Sequence, residues 1–158
     1  MALTTAQQAT LKAYILGDPV LSAFPMSSDG AYEIALALNA EASPAFYVWD
    51  NAYAPDKIRS AINNGITQLD ALTASKRDSL LWWAQGTHNM NLAAARTAAD
   101  DLTGSQTTLK AAILDGAKVK ARLIEKVLAT GTGSFASPAT AGYSGTVSYQ
   151  DVEQARAA

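Results

Sequence analysis

The stretch Thr4-Thr5-Ala6-Gln7-Gln8-Ala9-Thr10-Leu11-Lys12-Ala13-Tyr14-Ile15-Leu16-Gly17-Asp18-Pro19 sets the fold class. Thr4 is placed to cap a helix, and Gln7, three residues on, to reach back to it as in a capping box. Leu11, Tyr14 and Ile15 then fall on one face, and Gly17-Asp18-Pro19 stops the element. The same grammar repeats down the chain. A short turn around Val20 to Ala23 is stopped by Pro25, and Ser28 or Asp29 caps a helix running to about Asn39. Pro55 opens another that ends at Asn63-Asn64-Gly65, and a short helix follows from Ile66 to Leu72. Thr73-Ala74-Ser75-Lys76 opens a helix that carries Leu80, Leu81, Trp82 and Trp83 to Gly86. Residues 91–102 and 105–129 complete the series, the last being the longest, with Gly116 as its weak point. The expected fold is mainly α: a bundle of about five to seven helices with an extended or β-hairpin C-terminal arm. The expected division is a helical body over 1–129 and an arm over 130–158.

At 158 residues, the chain has the length of one domain. The hydrophobic fraction of 49% against 16% charged supports a packed core. Much of that apolar content is alanine, which favours helix but buries little area. The core then rests on larger residues such as Leu11, Ile15, Ile34, Leu36, Leu38, Ile58, Ile62, Leu80, Leu81, Trp83, Leu109, Ile113 and Ile124. That core is modest and leaves room for burial against a partner. The formal net charge of −2 marks neither a general nucleic-acid binder nor a polyanion mimic. The chain has no cysteine, which excludes disulfides, thiol catalysis and cysteine-ligated metal sites. The N-terminal sequence has no basic n-region or continuous apolar run, so no signal peptide is expected. No stretch approaches the roughly 20 apolar residues of a membrane span. A chain that starts out soluble in the cytoplasm, with no membrane partner, is the expectation.

Two segments break the helical pattern. Over residues 40–56, Phe46-Tyr47-Val48-Trp49 sits between Pro44 and Pro55 and suits a strand or a docking loop. Phe46, Tyr47 and Trp49 are its candidate partner contacts. From Val127 through Gln150 there is no Asp, Glu, Lys or Arg. Glycines and small residues deny this run a core of its own, yet Tyr143, Val147 and Tyr149 alternate as on a strand. An arm that orders against another subunit is one reading, with Phe135, Pro138, Tyr143, Val147 and Tyr149 as contacts. The other is a surface hairpin packed on its own body.

The residues offer little chemistry. His88 is the single histidine, with no HExxH spacing and no acidic neighbour nearer in sequence than Asp78, so loop hydrogen bonding is its expected role. Asp100-Asp101 point to different helix faces. Gly131-Thr132-Gly133 lacks the phosphate-loop patterns, and Gly142-Tyr143-Ser144-Gly145 has the wrong spacing for a nucleophile elbow. Neither an enzyme nor a cofactor is expected. Lys118, Arg122 and Lys126, at i, i+4 and i+8, form a basic stripe on one face of the last helix. They read either as a solvated face or as contacts to DNA or an acidic partner. Of Trp82 and Trp83, adjacent on a helix, one points inward and the other outward.

Met1-Ala2-Leu3-Thr4-Thr5-Ala6-Gln7, Pro44-Ala45-Phe46-Tyr47-Val48-Trp49 and Ala129-Thr130-Gly131-Thr132-Gly133 carry a resemblance, together with Ser137-Pro138-Ala139-Thr140 and Ser148-Tyr149-Gln150-Asp151-Val152. Taken together, these segments resemble small virion proteins of tailed bacteriophages and prophages, of the head-to-tail connector (adaptor) type. The resemblance spans nearly the whole chain, and its motifs are structural rather than catalytic. It implies a mostly helical subunit in a homo-oligomeric, dodecameric ring beneath the portal, around the DNA channel. The implied partners are the phage portal protein and a tail or nozzle protein, with non-specific contact between channel DNA and Lys118, Arg122 and Lys126. The implied location is the head–tail junction of the virion, after assembly in the host cytoplasm. The alternatives are another virion component (a tail terminator, head-completion or capsid decoration protein) or a soluble helical regulatory binding protein.

Overall fold

The capping box at Thr4 is present in the computed structural model, which describes residues 2–158. Thr4 Oγ1 accepts from the Gln7 amide at 3.3 Å, and Thr4 N donates to Gln7 Oε1 at 2.8 Å. Helix α1 (Thr5–Gly17) follows, with Leu11 and Ile15 buried. Asp18 Oδ1 accepts from the amides of Val20 and Leu21 and starts a 3-10 turn over Leu21–Ala23. Helix α2 (Ser28–Asn39) is capped by Ser27, one residue before the expected cap, because the Ser27 hydroxyl reaches the Gly30 amide.

The molecule is mainly helical. After α2 come β1 (Tyr47–Trp49), α3 (Pro55–Asn64, with Pro55 in the first turn), α4 (Ile66–Leu69) and α5 (Ala74–Trp83). Then follow α6 (Ala93–Thr103), α7 (Thr107–Gly116), β2 (Lys118–Lys120), α8 (Leu123–Val127) and α9 (Tyr149–Ala157). Nine α-helices among the described residues exceed the expected five to seven, since α4 and α8 are only 4 and 5 residues long. Strands β1 and β2 pair as one small antiparallel sheet.

The chain divides into two compact units, and the division differs from body plus arm. Unit 1 comprises Met1–Val48 and Lys120–Ala158, and unit 2 is the intervening Trp49–Val119. In unit 1, α1, α2, α8 and α9 enclose Leu11, Ile15, Ile34, Leu38, Ile124 and Val152. Residues 130–158 belong to this unit because Tyr143, Val147, Val152 and Ala155 are part of that core. In unit 2, α3 to α7 enclose Ile58, Ile62, Leu80, Leu109 and Ile113, with Tyr53 and Met90 fully buried from the loops. Leu36 and Leu81, expected inside, are 51% and 42% exposed instead. On α2 the inward face is taken by Gly30, Ala31, Ile34, Ala35 and Leu38, which turns Leu36 outward.

The facing of α2 is testable by denaturant unfolding. Ile34→Ala removes a fully buried side chain and is expected to cost about 2–5 kcal/mol. Tyr32→Ala, on the exposed face, is expected to stay within about 0.5 kcal/mol. Equal costs at the two positions would refute the assigned facing.

Candidate functional site

Phe46 and Tyr47 lie in unit 1, where the charge-free tail closes over them. Tyr47 N donates to Gly133 O at 2.7 Å, and Ala139 N donates to Tyr47 O at 2.9 Å. Residues 130–140 thus line up beside β1, with Val48 bridged to Ala139 and Thr130 to Thr140. The Phe135 ring meets Tyr47 edge-on, centroids 5.2 Å apart. Gly133 has φ +72°, and a Cβ built there would stand 2.0 Å from the Phe46 ring. Only glycine lets the backbone cross that aromatic face. Trp49 belongs to unit 2, under the Arg96 guanidinium at 5.0 Å.

The rest of the tail is held by side chains on the unit 1 helices. Asn39 uses both ends of its amide on Val147: Nδ2 donates to Val147 O at 2.8 Å, and Oδ1 accepts from Val147 N at 2.9 Å. Glu125 Oε1 accepts from Gly145 N at 3.0 Å, and Gln7 Nε2 donates to Gly142 O at 2.8 Å. Tyr143 is buried and donates its hydroxyl to Thr146 O at 2.6 Å. Burial, followed by the charges of Asp151 and Glu125, pushes its pKa above the ordinary tyrosine value. Of the five arm residues named from sequence, Tyr143 and Val147 are buried, Pro138 is half-buried, and Phe135 and Tyr149 are 47% and 40% exposed. The strand-like alternation ends at Tyr149 because Ser148 and Asp151 form a capping box that opens α9.

The basic stripe does not exist, which corrects the expectation of one helix over 105–129. Helix α7 stops at Gly116, whose position leaves no room for a side chain: a Cβ there would lie 2.6 Å from the Tyr53 hydroxyl. The chain then runs extended. Ala117 O accepts from Asp50 N at 2.8 Å, Ala121 N donates to Phe46 O at 2.8 Å, and Leu123 N donates to Ala40 O at 2.9 Å. Lys118 therefore lies in β2 of unit 2, Arg122 caps α8, and Lys126 is inside α8. Lys118 pairs with Asp115 at 2.6 Å, and Arg122 pairs with Glu125 at 3.6 Å. The Lys126 ammonium lies 5.8 Å from the Phe46 ring centroid. In β2 the next cation, Lys120, pairs with Glu41 at 3.1 Å, and the hydrogen bond to that carboxylate raises its pKa.

His88 stacks on Trp83 with ring centroids 4.0 Å apart, and its Nε2 is 2.7 Å from Trp83 O. A carbonyl only accepts, so Nε2 is the donor in this contact. Its backbone exchanges two hydrogen bonds with Tyr53. Trp83 is buried, and its neighbour Trp82 is 75% exposed. A cleft of about 510 Å³ in unit 2 is lined by Asp56, Lys57, Ser60, Asn64, Asp115 and Gly116, with no histidine beside the serine. Among the described residues, no group of three or more His, Asp or Glu side chains could hold a metal ion, and no helix is long and apolar enough to cross a membrane.

Asn39, Glu125 and Gln7 organise the tail and were missed by sequence reasoning. Gln7 and Glu125 each occupy the third position of a helix after its cap, a spacing that marks them locally. Nothing in the sequence points from Asn39 to Val147. Comparison with protein-family models, with curated proteins and with solved structures finds no match.

Two measurements check this geometry. Gly133→Ala should destabilise unit 1 by about 1–3 kcal/mol and speed hydrogen–deuterium exchange at the Tyr47 and Ala139 amides. Unchanged exchange would mean that the tail is not held across Phe46. Burial, with Asp50 nearby, pushes the Tyr53 pKa from 10.0 to about 12. The folded state then holds this proton more tightly than the unfolded chain. The associated stability is intact below pH 10 and is lost as the pH rises from 10 to 12. Tyr53→Phe should flatten the alkaline fall in melting temperature across that window, and an unaltered slope would reject the assignment.

Proposed function

We propose that the chain is a structural subunit of a tailed-phage virion: a head-to-tail adaptor that assembles as a ring beneath the portal, around the DNA channel. One observation carries this reading. The segments behind the resemblance are scattered from the first residues to the last helix, yet, Trp49 aside, their described residues belong to unit 1. Gln7 bonds to Gly142, Tyr47 to Gly133 and Ala139, and Thr130 to Thr140, while Ser148 and Asp151 cap the helix that closes the unit. What converges there is a set of backbone amides, carbonyls and caps, which fixes a surface and offers no reacting group. A subunit whose work is to hold its shape against neighbours needs that.

Exposed apolar side chains support the same reading. Met26 and Trp82 stand 76% and 75% exposed, and tryptophan is enriched where partners meet. In the tail, Tyr149 is 40% exposed toward a portal or tail partner, whereas Tyr143 and Val147 hold the segment on unit 1.

The experiment is co-expression with the portal protein of the same virion gene cluster, followed by size-exclusion chromatography and electron microscopy. The expected outcome is a coaxial layer of this chain on the portal ring. A portal ring that elutes bare, with the chain separate, would sink the adaptor reading.

A further inference from the structure

Of the eleven large apolar side chains that stand exposed among the described residues, five fall between positions 16 and 36: Leu16, Val20, Met26, Tyr32 and Leu36. Four of them, Leu16, Met26, Tyr32 and Leu36, belong to two surfaces of unit 1 with opposite charge. One is a groove of about 260 Å³ walled by Leu16, Phe24 and Met26 and edged by Lys12 and Arg156. The other is the outer face of α2, where Asp29, Tyr32, Glu33 and Leu36 follow at i, i+3, i+4 and i+7 and all four are exposed.

We infer that these two surfaces meet between copies: the outer face of α2 of one molecule seats in the groove of a second copy. Tyr32 and Leu36 cover Leu16 and Met26, and Asp29 and Glu33 approach Lys12 and Arg156. The charges are free to do this. Neither cation and neither carboxylate is in an ion pair among the described residues. Arg156 instead donates to Phe24 O and Pro25 O at 3.0 and 2.9 Å, and Lys12 donates to Ala158 O at 2.9 Å. These bonds hold the two cations at the groove edge. A basic rim around an apolar floor selects an acidic–apolar helix face, and α2 presents one on every copy. The two surfaces differ, so the contact is heterologous and repeats from copy to copy.

The inference rests on the chain being an assembling subunit, and it names the surfaces. Sedimentation velocity of the full chain over a concentration series tests it with Leu16→Asp, which spoils the groove, and Leu36→Lys, which spoils the helix face. Both side chains are exposed, and unchanged thermal melts verify that each variant folds. The wild type is expected to associate with rising concentration and less so with added salt. Each variant alone is expected to stay monomeric, and an equimolar mixture should form a dimer and nothing larger, using the one intact pair of surfaces. A wild type that stays monomeric, a single variant that assembles like the wild type, or a mixture without dimer overturns the contact. Portal binding without this association would leave the adaptor reading standing, and association without portal binding would do the reverse.

Discussion

The charge-free run from Val127 to Gln150 carries a peptide group at every residue and scarcely any regular structure, and buried peptide groups must find partners. Unit 1 is arranged around meeting that demand. The backbone of Tyr47 bonds to the run on both sides, through Gly133 and Ala139. The Asn39 amide takes both polar groups of Val147, and Glu125 and Gln7 take Gly145 and Gly142. With these bonds made, Tyr143 and Val147 can sink into the core beside Ile34 and Ile124, and α9 can close over it.

The same competition between local preference and long-range pairing splits the helix that periodicity draws over 105–129. Ala117 to Lys126 would propagate a helix on intrinsic propensity. Gly116 is the permissive point, pressed against the Tyr53 hydroxyl, and the backbone beyond it is taken by Asp50, Phe46 and Ala40. With Lys118 in β2, Arg122 at the cap of α8 and Lys126 inside it, the three cations no longer share one helix face. Each settles on the nearest acid or ring: Lys118 on Asp115, Arg122 on Glu125, Lys126 over Phe46.

What remains exposed is as informative as what is buried. Several large apolar side chains stay outside: Leu16, Met26, Tyr32 and Leu36 in unit 1, and Leu81 and Trp82 in unit 2. Reactive groups show no matching concentration. The one histidine is stacked and bonded to a carbonyl, and Tyr53 is shut under Gly116.

The sequence by itself determined the helical class, the caps at Thr4 and Thr73, the prolyl start at Pro55, and the alternating fate of Trp82 and Trp83. Those features depend on residues within one or two turns of each other, so they can be read from spacing. Only the tertiary structure decided that the chain forms two units with the second inserted into the first, that 105–129 is broken, and that the tail belongs to the core of unit 1. Those outcomes turn on partners such as Asn39 and Val147, 108 residues apart. Loop closure over that distance grows only slowly in cost, while an unpaired buried amide costs more than most local preferences supply. Local pattern therefore proposes the helices, and distant hydrogen-bond demand selects among them.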